Sequence, residues 1–271
     1  MTKIEWTDEV WNPVTGCTKI ATGCKNCYAE RMAKRLRGRC GYPADEPFKV
    51  TVHYDRLRQP LRWSKPRKVF VCSMGDLFHG HVSNSYIQAV FTVMAQCRQH
   101  TFQILTKRPT RMRATISRWV DNRLTLREGF GAVLPNVWLG VSASTQSDLE
   151  LLWPDLRRTP AAKRFISLEP LLGPIDLRRV YSGNMNESCH SEVDCVIVGA
   201  ESGPRRRECN NQWIASIVRQ CVDSDTPVFV KQANEGGKIV KMPEILGRVW
   251  DQMPTKSNGP VVERQSSERR Y

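Results

Sequence analysis

Three cysteines, Cys17, Cys24 and Cys27, share one short loop, with six and then two residues between them. Thiolates suit zinc and iron–sulfur clusters. Gly16 and Gly23 each precede one of these cysteines, and glycine allows the backbone turns that a loop needs to close on a metal. A structural zinc site wants four ligands. The next cysteine, Cys40, follows a helix-like run that would carry it about 18 Å away at ~1.5 Å per residue. Three local thiols suit a four-iron cluster with one open iron better than zinc. Zinc, or three unliganded thiols, are the alternatives.

The elements that must position this loop can be read from the apolar pattern. Residues 3–12 read as a first strand leading into the loop, and Tyr28–Arg39 as a basic helix with Met32 and Leu36 on one face. Residues 40–66 contain four prolines and little periodicity, and read as an insertion. Short apolar strands then alternate with helical runs. The strands are expected at 68–73, 101–106, 136–142, 164–168, 195–198 and 227–230; the helices lie between them, that at 148–156 broken near Pro154. Such alternation indicates parallel βαβ units. No Gly-x-Gly-x-x-Gly turn follows the first strand, which disfavours a dinucleotide-binding fold. The expectation is an α/β fold, a full or partial (β/α) barrel of about six to seven parallel strands, with a doubly wound open sheet as the alternative. One domain would span 1–250, with 251–271 a polar tail carrying Arg269 and Arg270.

Nearly every expected strand ends in polar residues: Ser73 and Asp76, Lys107 and Arg108, Ser142, Glu169, Glu201 and Ser202, then Lys231 and Gln232. In a β/α barrel the active site gathers at the carboxyl ends of the strands. The cysteine loop follows the first strand, so it would open on the same face. Arg205, Arg206 and Arg207 follow Glu201 and could grip phosphate, or be a solvated charge run.

The chain has 271 residues and a formal net charge of +14. That balance favours a polyanionic partner such as nucleic acid or nucleotides. There is no long apolar run for a membrane span and no basic-then-apolar leader, so a cytoplasmic, non-membrane protein with reduced thiols is expected. Cys72, Cys97, Cys195 and Cys221 lie in apolar surroundings and are expected in the core. Cys40, Cys189 and Cys209 lie in polar segments and have no assigned role.

The sequence resembles the phage-associated three-cysteine-motif proteins, a radical-SAM-like family. The likeness rests on Trp11-Asn12-Pro13 with Gly16-Cys17, on 23–30, on Ser73-Met74-Gly75-Asp76, and on 103–109, 136–142, 167–172, 199–203 and 229–232. It implies a radical-SAM-like barrel with a [4Fe–4S] cluster on Cys17, Cys24 and Cys27. S-adenosylmethionine would bind the fourth iron and be cleaved to a 5′-deoxyadenosyl radical. It further implies cofactor contacts from Tyr28, Ser73, Met74, Gly75, Asp76, Lys107, Arg108 and Ser142, and catalytic roles for Lys107, Glu169 and Glu201. A reductant protein such as flavodoxin or ferredoxin would supply the electron. The first cysteine spacing is six residues where the common radical-SAM pattern has three, and Asn26 stands where an aromatic is common. Two readings from other classes are a zinc-stabilised, non-catalytic nucleic-acid-binding protein and an iron–sulfur electron-transfer or regulatory protein without SAM cleavage.

Overall fold

A computed structural model of the chain describes residues 4–123, 131, 133–181 and 193–254. In chain order the elements begin with β1 (Glu9–Trp11), β2 (Val14–Thr15), α1 (Tyr28–Arg35), β3 (Thr51–Val52), β4 (Lys68–Val71) and α2 (Asn84–Gln96). They continue with β5 (Thr101–Thr106), α3 (Pro109–Asp121), β6 (Val137–Ser142), α4 (Gln146–Arg158), β7 (Lys163–Leu168) and α5 (Arg178–Tyr181). Last come β8 (Cys195–Gly199), α6 (Asn211–Asp223), β9 (Val228–Glu235), β10 (Lys238–Lys241), β11 (Glu244–Ile245) and β12 (Arg248–Val249).

One eight-stranded sheet runs in the order β1-β4-β5-β6-β7-β8-β9-β10 and curls into a half-barrel. Every pairing from β1 to β9 is parallel, and β10 closes the row as an antiparallel hairpin on β9. Of the sequence expectations, the partial barrel is the one observed. What distinguishes it from a doubly wound sheet is the strand order, which advances along the row in chain order with no reversal.

The two faces of the sheet are packed differently. Val71, Ile104, Leu139, Ile166, Val198 and Val230 point outward into a core shared with the helices. The intervening residues point into the concave face, where Trp138, Phe165, Cys195, Ile197 and Phe229 pack with Trp6, Phe70, Leu105, Met242 and Met253. Trp6 comes from the segment before β1 and is only 2% exposed, so it plugs the base of the trough. Gly140 leaves the space that the Phe165 ring fills; a Cβ there would stand 2.7 Å from it.

Local differences from the sequence reading have physical causes. The first strand is three residues long, because Trp6 turns in to pack. Helix α1 stops at Arg35, and beyond it Gly38 and Cys40 take left-handed backbone conformations that a helix cannot continue through. Helix α4 runs through Pro154 unbroken; Pro154 and Glu150, whose carbonyl loses its partner, are both on the exposed side. The stretch 40–66 carries β3, paired with β2, and two short 3₁₀ turns. Residues 251 and 252 are bound to β9, through an Asp251–Phe229 bridge and Gln252 N–H to the Val228 carbonyl at 3.1 Å. The rest of the expected tail, with Arg269 and Arg270, lies outside the described residues, as does Cys189. Cys72, Cys97, Cys195 and Cys221 are buried as expected; Cys209 is buried too and Cys40 is exposed. Among the described residues no helix is long and apolar enough to cross a membrane.

Candidate functional site

The concave face changes character toward the carboxyl ends of its strands. The same two-residue period that places Leu105, Trp138, Phe165, Ile197 and Phe229 inward brings Lys107, Ser142, Glu169, Glu201 and Lys231 to the mouth. Lys107 Nζ donates to the Ser142 carbonyl and to Ser142 Oγ, both at 2.7 Å. Ser142 Oγ donates to the Glu169 carbonyl at 3.2 Å. Glu169 Oε1 pairs with Lys231 Nζ at 2.8 Å. Gly199 lies beneath this pair, where a Cβ would come within 3.1 Å of Glu169 Oε1. Residues from five different strands therefore meet at one end of the trough, four of them in one chain of contacts.

The cysteine loop crosses this end strand by strand. Its start is held after β5: Arg108 donates to Cys17 Sγ at 3.3 Å, to the Thr18 carbonyl at 3.1 Å and to Thr18 Oγ1 at 3.0 Å. Its middle rests on the ends of β6 and β7. A Cβ on Gly23 would lie 2.1 Å from Ser144 Oγ and 3.5 Å from Pro170, so any side chain there must displace the Ser144 hydroxyl. Its far end is held after β8, where Glu201 Oε2 accepts from Asn26 Nδ2 at 2.9 Å and Arg207 donates to the Thr22 carbonyl at 3.0 Å. Gly16 forms a parallel bridge to Gly75, and Asn12 Oδ1 accepts from Ser73 Oγ and Met74 N–H. The expected residues of the second strand end, Ser73, Met74 and Gly75, thus pack directly against the loop's entry. Helix α1 leaves the loop with Ala29 and Ala33 buried against Tyr42 and Met74.

Each carboxylate in the mouth already has a cation. Asp76 accepts four hydrogen bonds, from Phe78 N–H, Thr106 Oγ1, Lys107 N–H and Arg108 Nη1, which fills its lone pairs. Burial would push the Glu201 carboxyl up, but Arg207 and Asn26 outweigh it and hold it below the usual range. Burial likewise opposes the charge on Lys231, and Glu169 outweighs it, so that ammonium is held above its usual value. Lys107 differs. Among the described residues no carboxylate pairs with it, and burial holds its ammonium below the usual lysine value despite Cys24, Asp148 and Asp76 nearby.

The thiols are half-buried and free. Burial raises Cys17, with Asp76 adding to it and Arg108 opposing it. Burial raises Cys27, and Cys24 is within electrostatic reach of both. A metal would therefore release protons on binding. Among the described residues no three His, Cys, Asp or Glu side chains already converge as a metal-holding group. The donor set itself suits an iron–sulfur cluster: three thiols on one loop, with Arg108 touching one and the unpaired Lys107 close to the other two.

Sequence reasoning located the mouth and singled out Gly23 and, as a phosphate grip, Arg207, but it missed the partners that hold the mouth together; Arg207 is taken up by Glu201 and Arg206 by the Gly203 and Gly237 carbonyls. Asn26 and Arg207 bind Glu201, Asn12 binds the second strand end, and Ser144 and Gly23 fit together. The only local signal was the polarity of Asn12 and Asn26 inside the quoted motif. Tyr28 lies at the rim, 46% exposed.

The family model described as "Protein of unknown function (DUF5131)" matches residues 1–254, so the chain belongs to the DUF5131 family. No curated protein and no solved structure matches the chain.

Proposed function

We propose that this DUF5131 protein is a radical S-adenosylmethionine enzyme that acts on a nucleic acid, nucleobase or nucleotide. The observation that carries the reading is the strap of three cysteines laid across the carboxyl ends of β5 to β8, above a half-buried lysine that no carboxylate pairs with among the described residues. Cys17, Cys24 and Cys27 would hold a [4Fe–4S] cluster. When bound, the cluster and S-adenosylmethionine supply hydrogen-abstracting radical chemistry, and the protein orients them and excludes water.

The chain's own residues divide the remaining work. Lys107 offers a desolvated ammonium with one N–H left for an anionic group, and suits the cofactor's carboxylate. Arg108 does not compete for that role, because its guanidinium already bridges Asp76, Cys17 and Thr18. Asp76 is a positioning residue for Arg108 and for the Lys107 backbone. Ser73, Met74 and Gly75 place backbone beside the loop's entry, where the cofactor's amino group would lie. Ser142 aims Lys107, while Glu169 and Glu201 face the mouth where substrate would enter. The net charge of +14 supports a phosphate-bearing substrate.

The test is anaerobic purification followed by iron and sulfide analysis, then S-adenosylmethionine with dithionite. Brown protein that forms 5′-deoxyadenosine, with both lost in Cys24→Ala, is the expected result. Stoichiometric zinc without iron overturns the reading. A cluster that never cleaves the cofactor replaces it with electron transfer or regulation.

A further inference from the structure

We propose that the rim beside the cysteine loop docks a single polynucleotide strand, with Tyr28 as the stacking platform for the base that enters the mouth. Residues 18–39 contain seven lysines and arginines and a single acid, Glu30. That is six of the chain's fourteen surplus positive charges in 22 residues. Glu30 is shared by Lys19 and Lys34, at 2.8 Å each. Lys25, Arg31 and Arg37, and Arg205 across the mouth, have no acidic partner among the described residues; Lys25, Arg37 and Arg205 are exposed.

The one aromatic ring within residues 18–39 is Tyr28, directly after Cys27. It is 46% exposed, Arg31 stands 5.9 Å from its centroid, and its hydroxyl is within electrostatic reach of Lys231 in the mouth. Arg31 also reaches Gly203 on the opposite side, where a side chain would collide with the guanidinium. A ring at the lip, flanked by unpaired cations, is the arrangement that binds single strands: bases stack and phosphates meet the charges.

Other anionic surfaces fit less well. A membrane would need an apolar stripe, but the apolar side of α1 is turned inward, Ala29, Ala33, Met32 and Leu36 packing with Tyr42, Met74 and Phe48. A free nucleotide would engage one end of the patch, whereas the cations extend along a helix of roughly 12 Å and past it. A duplex hides its bases from any chemistry in the mouth below, so the base must come from a single or opened strand.

That the stacked base meets chemistry rests on the function proposed above; the docking does not. The experiment is fluorescence anisotropy of the full chain with labelled 12-nucleotide DNA and RNA single strands, the matching duplexes, and phosphatidylserine vesicles, each across a salt series. Cys17→Ser protein is measured beside wild type. Single strands bind more tightly than duplex, and the DNA and RNA arms show which sugar is preferred. Tyr28→Ala weakens binding about tenfold and Tyr28→Phe restores it, in line with a stacking contact. The exposed triple variant Lys25→Gln, Arg37→Gln, Arg205→Gln lowers the salt slope by about two, at ~0.7 per lost phosphate contact on a single strand. Unchanged binding in Tyr28→Ala, equal affinity for duplex, or preference for vesicles overturns the proposal. Strand binding that survives in Cys17→Ser separates docking from the thiol loop's metal, and wild-type protein that binds strands but carries zinc or no iron after anaerobic purification removes the radical reading and leaves the docking surface intact.

Discussion

Near its base the concave face is Trp138, Phe165, Cys195 and Phe229 beneath Trp6; further along the same strands it is Ser142, Glu169, Glu201 and Lys231. Both regions obey the same two-residue period, so strand geometry does not separate them. What separates them is their cover. The base is closed by a tryptophan from the chain's beginning and by Met242 and Met253 from its end, and it gains by excluding water. The mouth is crossed by a polar loop, and its carboxylates are each matched by a cation while Lys107 is held by Ser142 alone among the described residues. A surface tuned only for stability would extend the first solution to the top. The second solution keeps charged groups desolvated and aimed, which is the arrangement the proposed function would use.

Four tests by substitution would break or sharpen this contrast. The largest effect belongs to the base: Trp6→Ala should lower unfolding free energy in urea by about 3–5 kcal/mol, through lost burial and a residual cavity. Trp6→Phe should lower it much less, since the indole N–H is buried without a partner among the described residues. Equal losses in the two variants would mean that Trp6 is not a packing plug.

In the mouth, Glu201→Ala should cost about 2–3 kcal/mol, because it strands Arg207 and Asn26 near a buried site. Its pH dependence carries the sign of a depressed carboxyl. The contribution is complete above the ordinary value of 4.5 and disappears as pH falls through the lower folded-state value. Acid unfolding monitored by circular dichroism should therefore be shallower in Glu201→Gln. An acid limb identical to wild type would sink this assignment.

Gly23→Ala should destabilise by about 1–2 kcal/mol, since its methyl would overlap Ser144 Oγ. That hydroxyl has no partner among the described residues, so Ser144→Ala alone should be close to neutral. The double variant should recover most of the loss. Strict additivity in the double-mutant cycle would show that the two residues do not meet.

The smallest effect has the opposite sign. Lys107→Met should stabilise the fold by about 1 kcal/mol, because a desolvated ammonium that no carboxylate pairs with among the described residues opposes folding. Its folded-state value lies below the ordinary 10.5, so wild-type stability rises as pH climbs through that window and the variant's advantage shrinks. Thermal unfolding between pH 7 and 10 reads both. A destabilised Lys107→Met would mean that the lysine is a structural strut.

The outline of the mouth was legible before the fold was known, since Lys107, Ser142, Glu169, Glu201 and Lys231 each end an apolar run and the period of a strand carries them inward. The seven parallel strands were legible for the same reason. The pairing was not. Asn26 and Glu201 are far apart in the chain and meet only once the sheet has curled, and nothing local marks Arg207 as a partner over Arg205 or Arg206. Trp6 read as part of a strand because alternation continues through it, and only the depth of the trough calls it inward. The hairpin of β10 was missed because Gly236 and Gly237 follow residues too polar to read as a strand.

An open sheet has a mechanical weakness that a closed cylinder lacks: its curvature is free to relax, because β1 and β10 each bond on one side only. The cysteine loop, tied after β5 by Arg108 and after β8 by Glu201 and Arg207, works as a bowstring across that curve. It spans the distance between Lys107, just after β5, and the carboxylates beyond β7 and β8. Cutting either tie should loosen the whole arc, so that amide exchange quickens along the ends of β6 and β7, which neither tie touches.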